Sequence, residues 1–163
     1  MACISAKFIN ERSPYEVVQV DDLTVRFITE SGVKYMVGFT PDAFIFDEGG
    51  YDFFIINEAE TAKQDHAVYQ TIIAVIESLF HDTADSAMIY ICAPDEGKQA
   101  VRARLFEMWF NNTSEASSNY TLKTYNSIDP DSGISYFYGL ILRKDNPNQD
   151  KLIRTFLEFL ADY

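Results

Sequence analysis

A chain of 163 residues, 47% hydrophobic and 15% aromatic, is about one domain long and has apolar side chains enough for a packed core, which excludes native disorder. Thirteen Lys and Arg against 25 Asp and Glu give a formal net charge of -12, which opposes nucleic acid and anionic membrane as partners. No apolar run approaches the roughly 18 residues of a membrane span, and the start, MACISAKFINERSP, lacks the basic and apolar regions of a secretory signal. The expected location is therefore the cytoplasm, with Cys3 and Cys92 both reduced.

In chain order, Leu23, Val25 and Phe27 alternate with Thr24 and Arg26, and Val33, Tyr35, Val37 and Phe39 alternate with Lys34, Met36 and Gly38. With Glu30-Ser31-Gly32 between them, these two runs predict a β-hairpin. Tyr51 to Asn57, YDFFIIN, is apolar on both faces and predicts an interior third strand. From Asp65 to His81 the residues Val68, Tyr69, Ile72, Ile73, Val75, Ile76, Leu79 and Phe80 share one arc of about 160°, the pattern of a core-facing helix. Ala87 to Ala93 is a second strand without a polar face, followed by a helix from about Asp95 to Asn111. After the polar linker Thr113 to Asn119, Tyr120 to Tyr125 and Ile134 to Leu142 predict two antiparallel strands around Asp129-Pro130-Asp131-Ser132-Gly133. Asn146 as N-cap, Pro147 at the first position and Gln149 at the third open a last helix carrying Leu152, Ile153, Phe156, Leu157 and Leu160. The expected fold is α+β, a single domain over residues 1–163 with a mixed sheet and the order βββαβαββα.

No motif fixes a reaction. There is no Gly-x-Ser-x-Gly, no Cys-x-x-Cys, no phosphate-binding glycine loop and no Cys/His cluster, so no catalytic residue, metal or cofactor is expected. His66 and His81 lack the i, i+4 spacing of a zinc helix and read as a solvated face with Gln70 and Glu77. Asp129 and Asp131 before Gly133 read as a plain turn, because the remaining calcium-loop ligands are missing.

Two constellations stand out. On the helix after Asp95, Arg102 falls inside an apolar arc between Phe106 and Trp109, where it must snorkel to solvent, stack on one of those rings, meet a carboxylate, or contact a bound anion or partner. With Lys98 and Arg104 it forms the one dense basic cluster, though Asp95 and Glu96 at the helix start favour capping over anion binding. The second is Tyr35 to Ala62, which holds six acidic residues (Asp42, Asp47, Glu48, Asp52, Glu58, Glu60) and no Lys or Arg. It suits either solubility or the docking of a basic protein.

The combination YDFFIIN, IYICAPDEGKQAVRARLFEMWFNN and LILRKDNPNQDKLI resembles an uncharacterised family of small bacterial proteins, a domain of unknown function, over most of the chain. The matching positions are Cys92, Gln99, Arg104, Leu105, Phe106, Trp109 and Phe110, and the resemblance implies a shared fold and no assigned activity. The element order is also similar to the core of the acetyl-CoA-dependent N-acyltransferases, with Leu105-Phe106 where that family has Leu-Tyr. The stretch Ala62-Lys63-Gln64-Asp65-His66-Ala67 departs from that family's glycine-rich turn, so this likeness implies a fold relative without the activity.

The leading expectation is a non-enzymatic interaction module whose Tyr35 to Ala62 side, with Asp47, Glu48 and Asp52, binds a basic protein. The alternatives are a small-ligand or degenerate acyltransferase-like domain, with Arg102, Arg104, Phe106 and Trp109 beside Tyr90 or Tyr125, and a structural subunit exposing Tyr15, Phe44 and Phe46.

Overall fold

A computed structural model describes residues 2–46, 49–57, 66–92, 107–108, 110–111 and 118–162. Its elements are α1 (Ala6–Asn10), β1 (Val18–Asp21), β2 (Thr24–Ile28), β3 (Lys34–Asp42), β4 (Gly50–Asn57), α2 (His66–Asp82), β5 (Ala87–Cys92), β6 (Tyr120–Ile128), β7 (Ser135–Arg143) and α3 (Gln149–Ala161). The strands form a seven-stranded sheet in the order β1-β2-β3-β4-β5-β7-β6. The parallel pair is β4 with β5, whereas β1 with β2, β2 with β3, β5 with β7 and β6 with β7 run antiparallel. A parallel pair needs a long crossover, and α2 lies in the chain between β4 and β5. The fold is α+β with a mixed sheet, as the residue patterns require.

The chain divides into two compact units. The first comprises Met1–Thr40 and Phe53–Ala84. Within it the β2 alternation holds from Val25 on, with Val25 and Phe27 buried and Arg26 and Ile28 exposed, whereas Thr24, on the polar side of the pattern, is buried. Helix α2 buries more than its apolar arc, because Thr71, Ala74 and Ser78 go inside as well. Each buried hydroxyl has a partner: Thr71 Oγ1 donates to the carbonyl of Ala67 at 2.8 Å, and Ser78 Oγ accepts from the amide of Ser5 at 2.9 Å. Short helix α1 leans on α2 through the Phe8 ring, which stacks on His81 at 4.7 Å. It was not visible in the sequence because five residues are too few to show a 3.6-residue period, although Ser5 caps it by accepting from Phe8 N at 3.2 Å. Strand β1 was also unforeseen, being four residues long and exposed throughout.

The second unit comprises Pro41–Asp52 and Asp85–Tyr163. Its core is Phe46, Ala87, Ile89, Leu140, Leu142, Leu152 and Phe156, so α3 covers the face of β5 and β7 that carries alternate residues Ala87, Ile89, Leu140 and Leu142. The predicted pairing of β6 with β7 holds, with β6 running on to Ile128 rather than stopping at Tyr125. Gly133 at φ +73° supplies the left-handed step of the intervening turn, where Asp129 Oδ1 accepts from Asp131 N at 2.9 Å. The start of α3 departs from expectation: the N-cap position is Asn148, and Asn146 instead folds back to accept from Asn148 N at 2.8 Å. Asn146 also donates to the carbonyl of Ser86 at 3.2 Å, and this second bond explains why it is buried ahead of the helix. Of the helix predicted over 95–111, Glu107, Met108, Phe110 and Asn111 are described and are helical, with Phe110 buried.

Candidate functional site

The residues singled out in sequence divide sharply by where they fall. Arg102, Arg104, Phe106, Trp109, Asp47 and Glu48 lie outside the described residues, as do Lys98, Glu58 and Glu60. Asp52 is described, on β4 directly opposite Ile89 of β5, and it is half-buried. Asp42, at the end of β3, is 7% exposed. Of the two described members of the acidic stretch, Asp42 is thus buried and Asp52 half-buried, and the charge of Asp42 bears on Asp52.

The local chain folding shows why. Asp42 Oδ1 accepts from the amides of Phe44 at 2.7 Å and Ile45 at 3.0 Å, turning the β3–β4 connection sharply. Phe46 is then buried, and its ring lies so close against Gly50 that a Cβ there would strike it. Gly49 closes the connection by accepting from Ala87 N at 2.8 Å. With Oδ1 so occupied, Asp42 Oδ2 is buried and accepts from no amide or hydroxyl among the described residues. Asp52 has its carboxyl pushed up to about 6, first by burial, then by the charge of Asp42 and by hydrogen bonding toward it.

A carboxyl held above its ordinary value of 3.8 binds its proton more tightly folded than unfolded. Its contribution to stability is thus full below about pH 4 and is lost as the pH rises through about 6. Solvent screening of a half-buried group limits the effect to about 1 kcal/mol. Thermal melts should accordingly show Asp52→Asn gaining on wild type by that amount between pH 4 and pH 7, and parallel pH dependence in the two proteins would disprove it.

A different kind of surface lies on the first unit. The register sets Val18, Arg26 and Met36 side by side across β1, β2 and β3, with Ile28 opposite Lys34 two residues on and so on the same face. Val18 is 48% exposed, Ile28 59% and Met36 37%, and Val20, at the β1 irregularity, 45%. The opposite face is the buried one, carrying Val25, Phe27 and Val37. Among the other described arginines, Arg12 lies over the Phe8 ring at 3.6 Å, Arg143 binds both carboxylate oxygens of Asp145 at 2.8 and 3.0 Å, and Arg154 is exposed on α3. Arg26 and Lys34 have no such partner among the described residues. The sequence held a signal for this face in the apolar residues Ile28 and Met36 at outward positions of an alternating hairpin.

A family model for a family of unknown function, DUF6169, matches residues 63–158, more than half of the chain. The chain belongs to that family. The family resemblance carried by the strand, helix and C-terminal segments is thus real, and membership in DUF6169 brings no reaction or ligand with it. Comparison with curated proteins and with solved structures gives no match, which leaves the acyltransferase likeness without support beyond element order.

The tyrosines named as possible neighbours of a ligand go to different places. Tyr90 stands opposite Gly139 and Tyr125 opposite Tyr138, in adjacent rows of the DUF6169 sheet, so their side chains leave opposite faces. Tyr90 is buried, with its phenol pushed up by burial first and then by Cys92 and Glu107, while Tyr125 packs on Phe156 with ring centroids 5.4 Å apart. They cannot line one cleft together. The aromatic trio also disperses: Phe46 is core, Tyr15 stacks on Phe27 at 5.8 Å, and Phe44 is 76% exposed with its edge against Phe159. Among the described residues no group of His, Cys, Asp and Glu could hold a metal ion, and no helix is long and apolar enough to cross a membrane.

Proposed function

We propose that this member of DUF6169 is a non-enzymatic protein-interaction module of the bacterial cytoplasm, and that it docks its partner on the outward face of β1, β2 and β3. The observation that carries the reading is the continuous outward row of Val18, Arg26 and Met36 with Ile28 and Lys34 beside it. Single exposed apolar residues are ordinary on a soluble protein, but neighbouring ones on one sheet face are the pattern of a contact surface. Methionine and arginine are both favoured in interface cores. Two cations without ion pairs among the described residues, Arg26 and Lys34, favour a partner with acidic groups around an apolar centre. The acidic stretch offers less to support docking among the described residues, where Asp42 is buried and Asp52 half-buried.

The test is affinity purification from the native host with wild type and with the double variant Ile28→Glu/Met36→Glu. Both positions are exposed, so the fold should tolerate the change to within about 1 kcal/mol. The wild type should retain one protein that the variant loses, and identical retained sets would refute the docking face.

A further inference from the structure

Of the two ends of the sheet order, one is blunted and the other is not. Strand β1 is four residues long and its register shifts between Gln19 and Asp21, both of which hinder a further strand from pairing there. Strand β6 is nine residues long, contains no proline and pairs with β7 without a break from Tyr120 to Ile128. Asp129 N donates to the Ile134 carbonyl at 2.9 Å and Lys144 N to the Asn119 carbonyl at 3.0 Å, so the odd-numbered positions of β6 exchange their bonds with β7. The even-numbered positions direct N–H and C=O away from β7. Leu122, Thr124, Asn126 and Ile128 bind no other strand among the described residues, and the last three are exposed.

We propose that the chain forms a two-fold symmetric dimer in which β6 pairs antiparallel with β6 of a second copy, about an axis at Tyr125. An edge of this kind accepts one more strand, and the residues of β6 fit their own copy. Two chains of net charge -12 repel each other over most of their surfaces, yet β6 holds Lys123 as its one charged residue and no carboxylate. In the proposed register Leu122 of one copy faces Ile128 of the other, Thr124 faces Asn126, and Tyr125 faces Tyr125. Leu122 and Ile128, the latter 60% exposed, then cover each other on the face opposite Tyr125. Lys123 faces Ser127 and has Asp129 of the other copy on its diagonal, within reach of the long lysine side chain. Moving the axis to Thr124 sets Leu122 against Asn126, and moving it to Asn126 sets Leu122 against Pro130, which has no N–H to give.

Sedimentation equilibrium of the full chain tests the pairing. At about 100 μM the wild type should show twice the chain mass, with monomer appearing on dilution. Thr124→Pro removes an outward N–H and none that β7 uses, and Ile128→Lys puts a charge into the apolar pair. Each should weaken association by about tenfold or more while circular dichroism stays that of the wild type. Should Thr124→Pro fail to fold, Ile128→Lys, at an exposed position, decides. The register has its own readout: on mild oxidation Lys123→Cys/Ser127→Cys in a Cys3→Ser background should give a covalent dimer, and Lys123→Cys alone in that background should not. Three results would each overturn the proposal: a wild type that stays monomeric, which would leave β6 to a strand of another protein; a dimer that Ile128→Lys keeps; or no covalent dimer from the double-cysteine protein.

Discussion

Replacing Phe156 by alanine should cost about 3–5 kcal/mol, the range expected for truncating a fully buried phenylalanine. Helix α3 has 13 residues and buries only Leu152 and Phe156. A helix of this length is marginal by itself, so its stability comes from the side chains it inserts into the sheet. Phe156 is fully buried, with Tyr125 at 5.4 Å and Tyr138 at 6.2 Å between ring centroids. Those rings stand opposite each other on β6 and β7, and alanine would remove the ring that both pack against. Urea denaturation of wild type and Phe156→Ala measures the difference, and a loss under about 1 kcal/mol would mean that α3 is held by something other than this contact.

Gly139→Ala should cost about 3 kcal/mol, for the opposite reason of overfilling. Gly139 is at the centre of β7 and directly opposite Tyr90, whose ring lies where a Cβ would be built. The conflict is with the Cε1, Cζ and Oη atoms of a side chain that is 6% exposed, so relief requires moving a buried phenol. The steric origin makes a specific demand on the pair. Tyr90→Val alone should destabilise through the cavity it leaves, and Gly139→Ala in the Tyr90→Val background should cost much less than in wild type. Chemical denaturation of the four proteins gives the coupling directly, and additive losses would show that Gly139 is required for some reason other than the ring.

The sequence disclosed elements whose signals are local and long. The β2–β3 hairpin, α2, β5 and the β6–β7 pair each announced themselves through several periods of alternation or through a turn such as Asp129 to Gly133. Elements of four or five residues, α1 and β1, could not, because periodicity over so few positions is indistinguishable from chance. The strand YDFFIIN is interior in the sheet order, yet its burial fades along its length until Ile55 is 39% and Ile56 53% exposed. Its pairing with β5 covers Gly50 to Asp52, so apolar composition overstated how much of β4 is enclosed.

The candidate site was less legible than the fold. Charge density identified Tyr35 to Ala62; of its six acidic residues Asp42 and Asp52 are described, and there the charge of the buried Asp42 bears on a half-buried Asp52 ten positions on. Such an encounter depends on which amides capture Asp42 Oδ1, and composition carries no trace of that choice. The docking face illustrates the converse. Alternation separates Arg26, Lys34 and Met36 from the apolar row of the hairpin, but their adjacency with Val18 follows from the register of a strand too short to foresee.

The proposed function rests on the docking face, and site-specific photo-crosslinking in the native host tests it most directly. A benzophenone side chain at position 36, on the outward row of β3, should give one discrete adduct with an acidic protein, while the same group at position 158, exposed on α3, should give none. No adduct at position 36, or the same adducts at both positions, would contradict it.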